Sequence, residues 1–389
     1  MTDTQRGMIL LMKSAVTGDC YPLPESFSLE DALPLIRANH ILPMAYTGAA
    51  NCGISTKSPV MQSIFPRYLQ AMIHAENQDR EAARIFHAFE ENGIDFLPLK
   101  GCNMRPLYPR PELRYMADAD ILIRTEQYDR IRPVMEALGF QEDSETDHEL
   151  VWKSAGLYVE LHKHLIPSYT KDYHDYFGNG WQLAKPASGS RFRMGPEDEF
   201  IFLFIHFAKH YRDGGAGCRY VLDLWLFLRK YPELDAAYIR RELTMLRVAE
   251  FYNNILRLID SWFNGGEANA LTDFMTDFII SSGSWGQHNS RLVSVELRDS
   301  VSLGSIRAKR IRNLLFVLFP PAEIVAKRYP AVEKHPWLLP VFWPVRWITA
   351  LLFRRDRIRN EKEYQQTVAA DQLKARQEAL KRVGLDFHM

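Results

Sequence analysis

Asp118 and Asp120 lie in the run Arg114-Tyr115-Met116-Ala117-Asp118-Ala119-Asp120-Ile121-Leu122-Ile123. On a strand, residues at i and i+2 point to the same face. Ile121 and Ile123 then take the opposite face, as a half-buried strand requires. Two carboxylates so close repel each other, and a cation between them relieves the repulsion. Mg²⁺ is the natural ion, because it is hard and is held through one or two carboxylates plus substrate phosphates. The pair therefore points to metal-dependent phosphoryl or nucleotidyl transfer.

Other residues complete a coherent site. Tyr158, Glu160 and His162 share one face of a second alternating segment, with Val159 and Leu161 on the other. Glu160 supplies a third carboxylate, able to fill a second metal position or take a proton from an attacking hydroxyl. A metal there neutralises charge that develops as an α-phosphate is attacked. Lys100 ends a short apolar strand, Ile94 to Leu99, and can contact phosphate; Gly101 lets the backbone approach closely. Arg114 either binds phosphate or braces the carboxylates. His162 and His148 either line the pocket or are hydrogen-bonded structural histidines. His206 and His210, at i and i+4 on one helical face, have zinc-binding spacing. Spacing supplies no third ligand, so they are expected to face substrate. Arg219 and Asp223 are expected to form an i,i+4 ion pair on a helix, with a substrate-facing role as the alternative.

The elements that position these residues follow from periodicity and capping. Residues 1–93 read as a helical segment: Ser28 caps one helix, and a second runs from about Gln62 to Asn92, ending at Gly93. Residues 94–190 read as a small α/β unit. In it Thr125 caps a helix to about Leu138, and His148–Lys153 and Gly156–His162 form a hairpin. Residues 191–290 read as a helical substrate-side domain, opened by Pro196 and an apolar helix from Phe200 to Ala208 that should be buried. Residues 291–389 read as a helical C-terminal region ending in a charged, solvated helix from Arg354 to Arg382.

Composition narrows the partners. The 389 residues carry 48 Lys+Arg and 48 Asp+Glu, so no global charge favours nucleic acid, and no duplex-binding module is evident. The four cysteines, Cys20, Cys52, Cys102 and Cys218, form no CxxC pair and read as free thiols in a reducing cytoplasm. No apolar run reaches the about 18 residues of a membrane span. The nearest is Trp337 to Phe353, interrupted by Pro340, Pro344 and Arg346 and followed by Arg354, Arg355, Arg357 and Arg359. That segment reads as core packing, or as a peripheral contact with the inner membrane surface through 337–359.

Taken together, Leu97-Pro98-Leu99-Lys100-Gly101, Leu107-Tyr108-Pro109, Arg114 with Asp118-Ala119-Asp120-Ile121-Leu122-Ile123, and Val159-Glu160-Leu161-His162 resemble the uncharacterised nucleotidyltransferase family of the DNA polymerase β superfamily. The likeness also takes in His40-Ile41-Leu42-Pro43, the His206/His210 helix, and Arg219 with Asp223, over roughly residues 30 to 260. The resemblance implies an α+β fold: a minimal polymerase-β-like nucleotidyltransferase sheet with a helical N-terminal segment and a large helical C-terminal region. It implies transfer of a nucleoside monophosphate from an NTP, dependent on Mg²⁺ or Mn²⁺, with pyrophosphate leaving. By motif match Asp118 and Asp120 are the metal ligands, Glu160 the third carboxylate and Gly101 the turn glycine. Cys102 departs from the wider pattern, which has Ser or Gly after that glycine; Lys100 can compensate for the missing hydroxyl. The acceptor is a hydroxyl or amine on a small molecule, sugar, peptide or protein. Two other readings stand beside this one: a non-catalytic nucleotide sensor, and a membrane-surface or assembly protein acting through its C-terminal segment.

Overall fold

A computed structural model describes residues 1–284, 318–320, 325, 332, 335–344 and 370–386. The chain divides into two units, residues 1–287 with 382–385 and residues 288–381 with 386–389. The first unit carries the sheet and the candidate site.

That unit opens with α1 (Asp3–Thr17), α2 (Leu29–Ala38), α3 (Leu42–Asn51) and the long α4 (Pro59–Glu91). The Ser28 hydroxyl accepts the Asp31 N–H, so it caps α2 as its position predicts. Next come β1 (Phe96–Pro98), the one-turn α5 (Gly101–Met104), β2 (Asp118–Ile123) and α6 (Tyr128–Ala137). Strands β3 (Gln141–Glu145), β4 (Glu149–Lys153) and β5 (Tyr158–His162) form a meander, followed by α7 (Lys171–Phe177). A second hairpin, β6 (Ala184–Ser188) and β7 (Arg191–Met194), leads into α8 (Pro196–Arg212) and α9 (Arg219–Lys230). The helices α10 (Ala236–Met245), α11 (Ala249–Ile259) and α12 (Ala270–Ser282) complete the unit.

The seven strands make one mixed sheet in the order β3-β4-β5-β2-β1-β7-β6. Central β2 runs parallel to β5 and antiparallel to β1. Ala119, Ile121, Ile123, Val159 and Leu161 line one face. They are buried with Leu150 and Trp152 against Ile85 and Phe89 of α4 and Ile131 and Met135 of α6. Each such large side chain contributes about 1.5–3 kcal/mol by leaving water. This layer therefore fixes the register: a slip of one residue would drive Asp118 and Asp120 into the core and expose the isoleucines. Packing energy on one face thus holds the carboxylates on the other.

Helix α8 is buried nearly all round, as its composition predicts. Phe200, Phe204 and Phe207 pack on Phe251 and Tyr252 of α11. Three strands depart from the sequence reading, which places no strand at β3, β6 or β7. Every residue of β3 is exposed, and β6 is mostly exposed and contains Pro186, so neither shows an apolar face. They occupy the two edges of the sheet, where such residues are tolerated. Thr125 opens a short 3₁₀ turn, and α6 starts only at Tyr128.

Ala370–Arg382 is helical, but Leu373 and Leu380 are buried, so it is not solvated all round. Leucines seven residues apart give a narrow apolar stripe on an otherwise charged helix. In the second unit the Trp343 indole donates to the Pro320 carbonyl at 3.1 Å and meets the Phe319 ring edge-on. Trp347 and the cluster Arg354, Arg355, Arg357 and Arg359 lie outside the described residues. Among the described residues no helix is long and apolar enough to cross a membrane.

Candidate functional site

The parallel pairing of β2 with β5 sets Asp118 opposite Tyr158, Asp120 opposite Glu160 and Leu122 opposite His162. Paired residues share a face, so Asp120 and Glu160 stand side by side, with Asp118 one pleat away. Burial and the neighbouring Asp120 push the Asp118 carboxyl up to about 6. Burial, then Asp120 and Asp118, push Glu160 up to about 9. Asp120 goes the other way. Burial opposes its charge, but Lys100 and His162 hold its carboxyl well below the usual range.

Lys100 sits where β1 turns into α5. The Leu99 N–H donates to the Asp120 carbonyl at 2.9 Å, tying the end of β1 to β2. Lys100 then adopts φ 42° and ψ −107°, an uncommon conformation for a residue with a Cβ. That turn carries its ammonium back over the carboxylates, where Nζ donates to Asp120 Oδ1 at 2.6 Å. Burial works against the charge, yet Asp120, Glu160 and Asp118 together raise the lysine pKa above its ordinary value. Strain of this kind persists when its surroundings over-determine it and marks functional turns.

Gly101 is needed for close packing. A Cβ there would lie 2.6 Å from Met116 Sδ and 3.2 Å from Arg114 Nη1. Asn103 of the same turn donates to the Pro98 carbonyl and to Glu199 of α8, each at 2.8 Å. The Cys102 thiol is pushed up to about 12 by burial and then by Asp120, so it stays neutral. It offers no substitute for a serine hydroxyl as a strong donor.

His162, at the end of β5, is fully buried. Its Nε2 donates to Asp120 Oδ1 at 2.7 Å and lies 3.5 Å from Glu160 Oε2. Its Nδ1 meets His148 Nε2 at 3.1 Å. Burial, then the Lys100 charge, lowers the ring's pKa. Helix α8 brings a second histidine pair to the same region: His206 Nε2 and His210 Nε2 lie 3.2 Å apart. Burial holds His206 far below its ordinary pKa, and the Lys100 charge adds to that. Among the described residues no third ligand atom joins this pair into a metal group.

The expected ion pair between Arg219 and Asp223 is not formed. Asp223 instead accepts from Arg114 Nε at 3.0 Å and Nη2 at 2.9 Å, and from the Tyr108 hydroxyl at 2.7 Å. A buried bidentate arginine–carboxylate pair is stronger than a helix-surface i,i+4 pair, so it takes the aspartate. Arg114 therefore braces the Gly101 turn from beneath. Arg219 donates to the Tyr115 carbonyl, and its charge is felt by Asp118. Its buried Nε has no hydrogen-bond partner. Beside Arg219, His40 stacks on Tyr115 with ring centroids 4.4 Å apart. These two rings border a cavity of about 250 Å³, floored by Leu42, Ala75 and Met116 and rimmed by Arg37 and Arg67.

Sequence reasoning brings Lys100, Asp118, Asp120, Glu160 and His162 to one place, and the structure assembles them there. It passes over Glu149, which stands opposite His162 in the β4–β5 register. The hairpin alternation carries that signal, since cross-strand partners share a face.

The chain belongs to the uncharacterised nucleotidyltransferase family, whose model matches residues 25–264. Its chemistry is therefore of the nucleotidyl-transfer class. Among solved structures it is similar to the solution structure of the antibiotic-resistance factor ANT(2'')-Ia, with 14% identity and a TM-score of 0.32. That match covers 44% of this chain and 96% of the other. A likeness of that degree carries no argument about substrate. No curated protein matches the chain.

Proposed function

We propose that the protein transfers a nucleoside monophosphate from an NTP to a hydroxyl or amine acceptor, with pyrophosphate as the leaving group. The observation that carries this reading is the convergence of Asp118, Asp120 and Glu160 on one sheet face, under the ammonium of a strained lysine.

The donor chemistry fits Mg²⁺ or Mn²⁺. Three buried or half-buried carboxylates crowd together, and two of them hold protons more tightly than isolated carboxylates because of burial and then that crowding. Hard oxygen ligands and surplus negative charge are what such an ion takes. Asp118, Asp120 and Glu160 would hold it. When bound it would offset the charge that builds on the transferring phosphoryl group.

The protein's own groups do the rest. Glu160 has the highest proton affinity of the three carboxylates and is the candidate base for the acceptor's proton. Lys100 supplies a cation at the carboxylates, free to follow the triphosphate as a mobile point charge. Gly101 lets the turn backbone approach the phosphates. Arg219, whose charge is felt by Asp118 and whose Nε has no hydrogen-bond partner, is a second phosphate-side cation. Arg114 acts through the turn it supports. His206 and His210 form the wall contributed by α8, and Asp223 fixes Arg114.

Calorimetric titration of each NTP with and without Mg²⁺ tests the reading. NTP binding that needs the metal and is lost in Asp118→Asn is expected. Equal binding by Asp118→Asn, or binding indifferent to metal, would contradict it.

A further inference from the structure

Behind the carboxylate cluster lies a second convergence that the transfer reaction does not use. Glu149 opens β4 and stands directly opposite His162, the last residue of β5, so their side chains share a face. His148 lies in the bend just before β4. The Thr146 hydroxyl accepts the backbone N–H of His148 at 3.2 Å and of Glu149 at 3.0 Å, and the Lys163 N–H donates to the His148 carbonyl at 2.8 Å. The bend turns the His148 ring to the same side as its neighbour.

Three potential ligand atoms meet there. His162 Nδ1 and His148 Nε2 are 3.1 Å apart, His148 Nε2 and Glu149 Oε2 3.6 Å, and His162 Nδ1 and Glu149 Oε2 3.7 Å. Tetrahedral zinc with ligand bonds of about 2.0–2.1 Å has ligand–ligand edges of about 3.3 Å. The observed triangle is one face of such a tetrahedron within a few tenths of an ångström. Octahedral Mg²⁺ wants oxygen ligands and shorter edges, of about 2.9 Å, so two imidazole nitrogens select against it.

The tautomer is set for this role. Asp120 accepts from His162 Nε2, so the proton resides there and Nδ1 presents a bare lone pair to the triangle. Without a metal, His148 Nε2 donates to that lone pair at 3.1 Å; His148 Nδ1 is buried without a hydrogen-bond partner, so the proton can move to Nδ1 when Nε2 turns its lone pair to an ion. A hydrogen bond between the two rings would use one edge of the triangle and leave the Glu149 oxygen 3.6 Å or more from both nitrogens.

We propose that His148, Glu149 and His162 form a zinc site, with an open fourth position, one imidazole ring behind the catalytic carboxylates. A zinc ion bound there grips His162 by Nδ1 and so aims its Nε2 proton at Asp120. It acts as a positioning metal, distinct from the ion expected at Asp118, Asp120 and Glu160.

The test is metal content, independent of turnover. The full chain is stripped with EDTA, reloaded with ZnCl₂, dialysed, and analysed by plasma mass spectrometry; Co²⁺ is then substituted and its visible spectrum recorded. Wild type should retain about one zinc per chain and give the intense visible bands of tetrahedral Co²⁺. Glu149→Gln and His148→Ala should lose both signals, while Glu160→Gln keeps them. Circular dichroism checks that each variant is folded; if His148→Ala is not, Glu149→Gln and the wild-type cobalt spectrum decide. Folded wild type with no retained zinc would overturn the proposal. So would zinc lost in Glu160→Gln but kept in Glu149→Gln, which would put the metal in the catalytic cluster.

Discussion

Glu160→Gln tests the electrostatics of the site without changing its shape. The Glu160 carboxyl is pushed up to about 9 from an ordinary 4.5, by burial and then by Asp120 and Asp118. A carboxyl raised on folding contributes stability that is fully present below its unfolded pKa and is lost as pH rises through the folded value. Metal-free wild type should therefore weaken steadily from about pH 5 to about pH 9. Between pH 5 and pH 8 the full shift corresponds to about 4 kcal/mol. The side chain is 26% exposed, so solvent trims this to about 2–4 kcal/mol. Glutamine mimics the protonated form at every pH and should flatten that slope. Urea unfolding in EDTA at pH 5, 6, 7 and 8 measures it for both proteins. Parallel profiles would refute the reasoning, because Glu160 would then not be the group that resists ionisation. The same variant should lose transfer activity, so stability and function would move in opposite directions at pH 8.

Four further substitutions separate the roles of neighbouring residues. Asp118→Asn should leave metal-free stability unchanged or raised, since it removes a repelled carboxylate; Asp120→Asn should cost about 3 kcal/mol by unpairing Lys100 and His162, and thermal unfolding of the two side by side shows the contrast. Asp223→Asn should destabilise by about 3 kcal/mol, because it strands the buried Arg114 guanidinium; a change below about 1 kcal/mol would mean the pair is not formed in solution. Gly101→Ala should cost about 1–3 kcal/mol and weaken NTP binding, since its Cβ must displace Met116 beneath the turn; calorimetry with NTP and Mg²⁺ measures the second effect.

The centre of the fold was legible because it obeys a local rule. In β2 and β5 the alternation of acids with Ala119, Ile121, Val159 and Leu161 states both the strand and its wet face. Edge strands state neither: β3 reads Gln-Glu-Asp-Ser-Glu and is held by pairing with β4 and by exposed ion pairs to Arg132 and Lys163. Long-range pairs were also hidden. Arg114 and Asp223 are 109 residues apart, and no spacing rule links them. The i,i+4 rule pointed Asp223 to Arg219 instead, a weaker surface geometry that the buried bidentate pair overrode. Lys100 was placed at the site by its strand-end position. Its left-handed backbone and its bond to Asp120 depend on how β1 and β2 pair, and no one-dimensional pattern carries that. Family membership narrows the reaction to nucleotidyl transfer.

The most direct test of the central claim is a transfer assay. The four ribonucleoside triphosphates, α-labelled, are incubated with the protein, Mg²⁺ or Mn²⁺ and a cell extract as acceptor source, and pyrophosphate release is followed alongside label transfer. The account predicts metal-dependent label transfer with matching pyrophosphate, abolished in Asp118→Asn. Transfer by Asp118→Asn at the wild-type rate, or tight metal-dependent NTP binding by wild type with no pyrophosphate from any of the four, would contradict it.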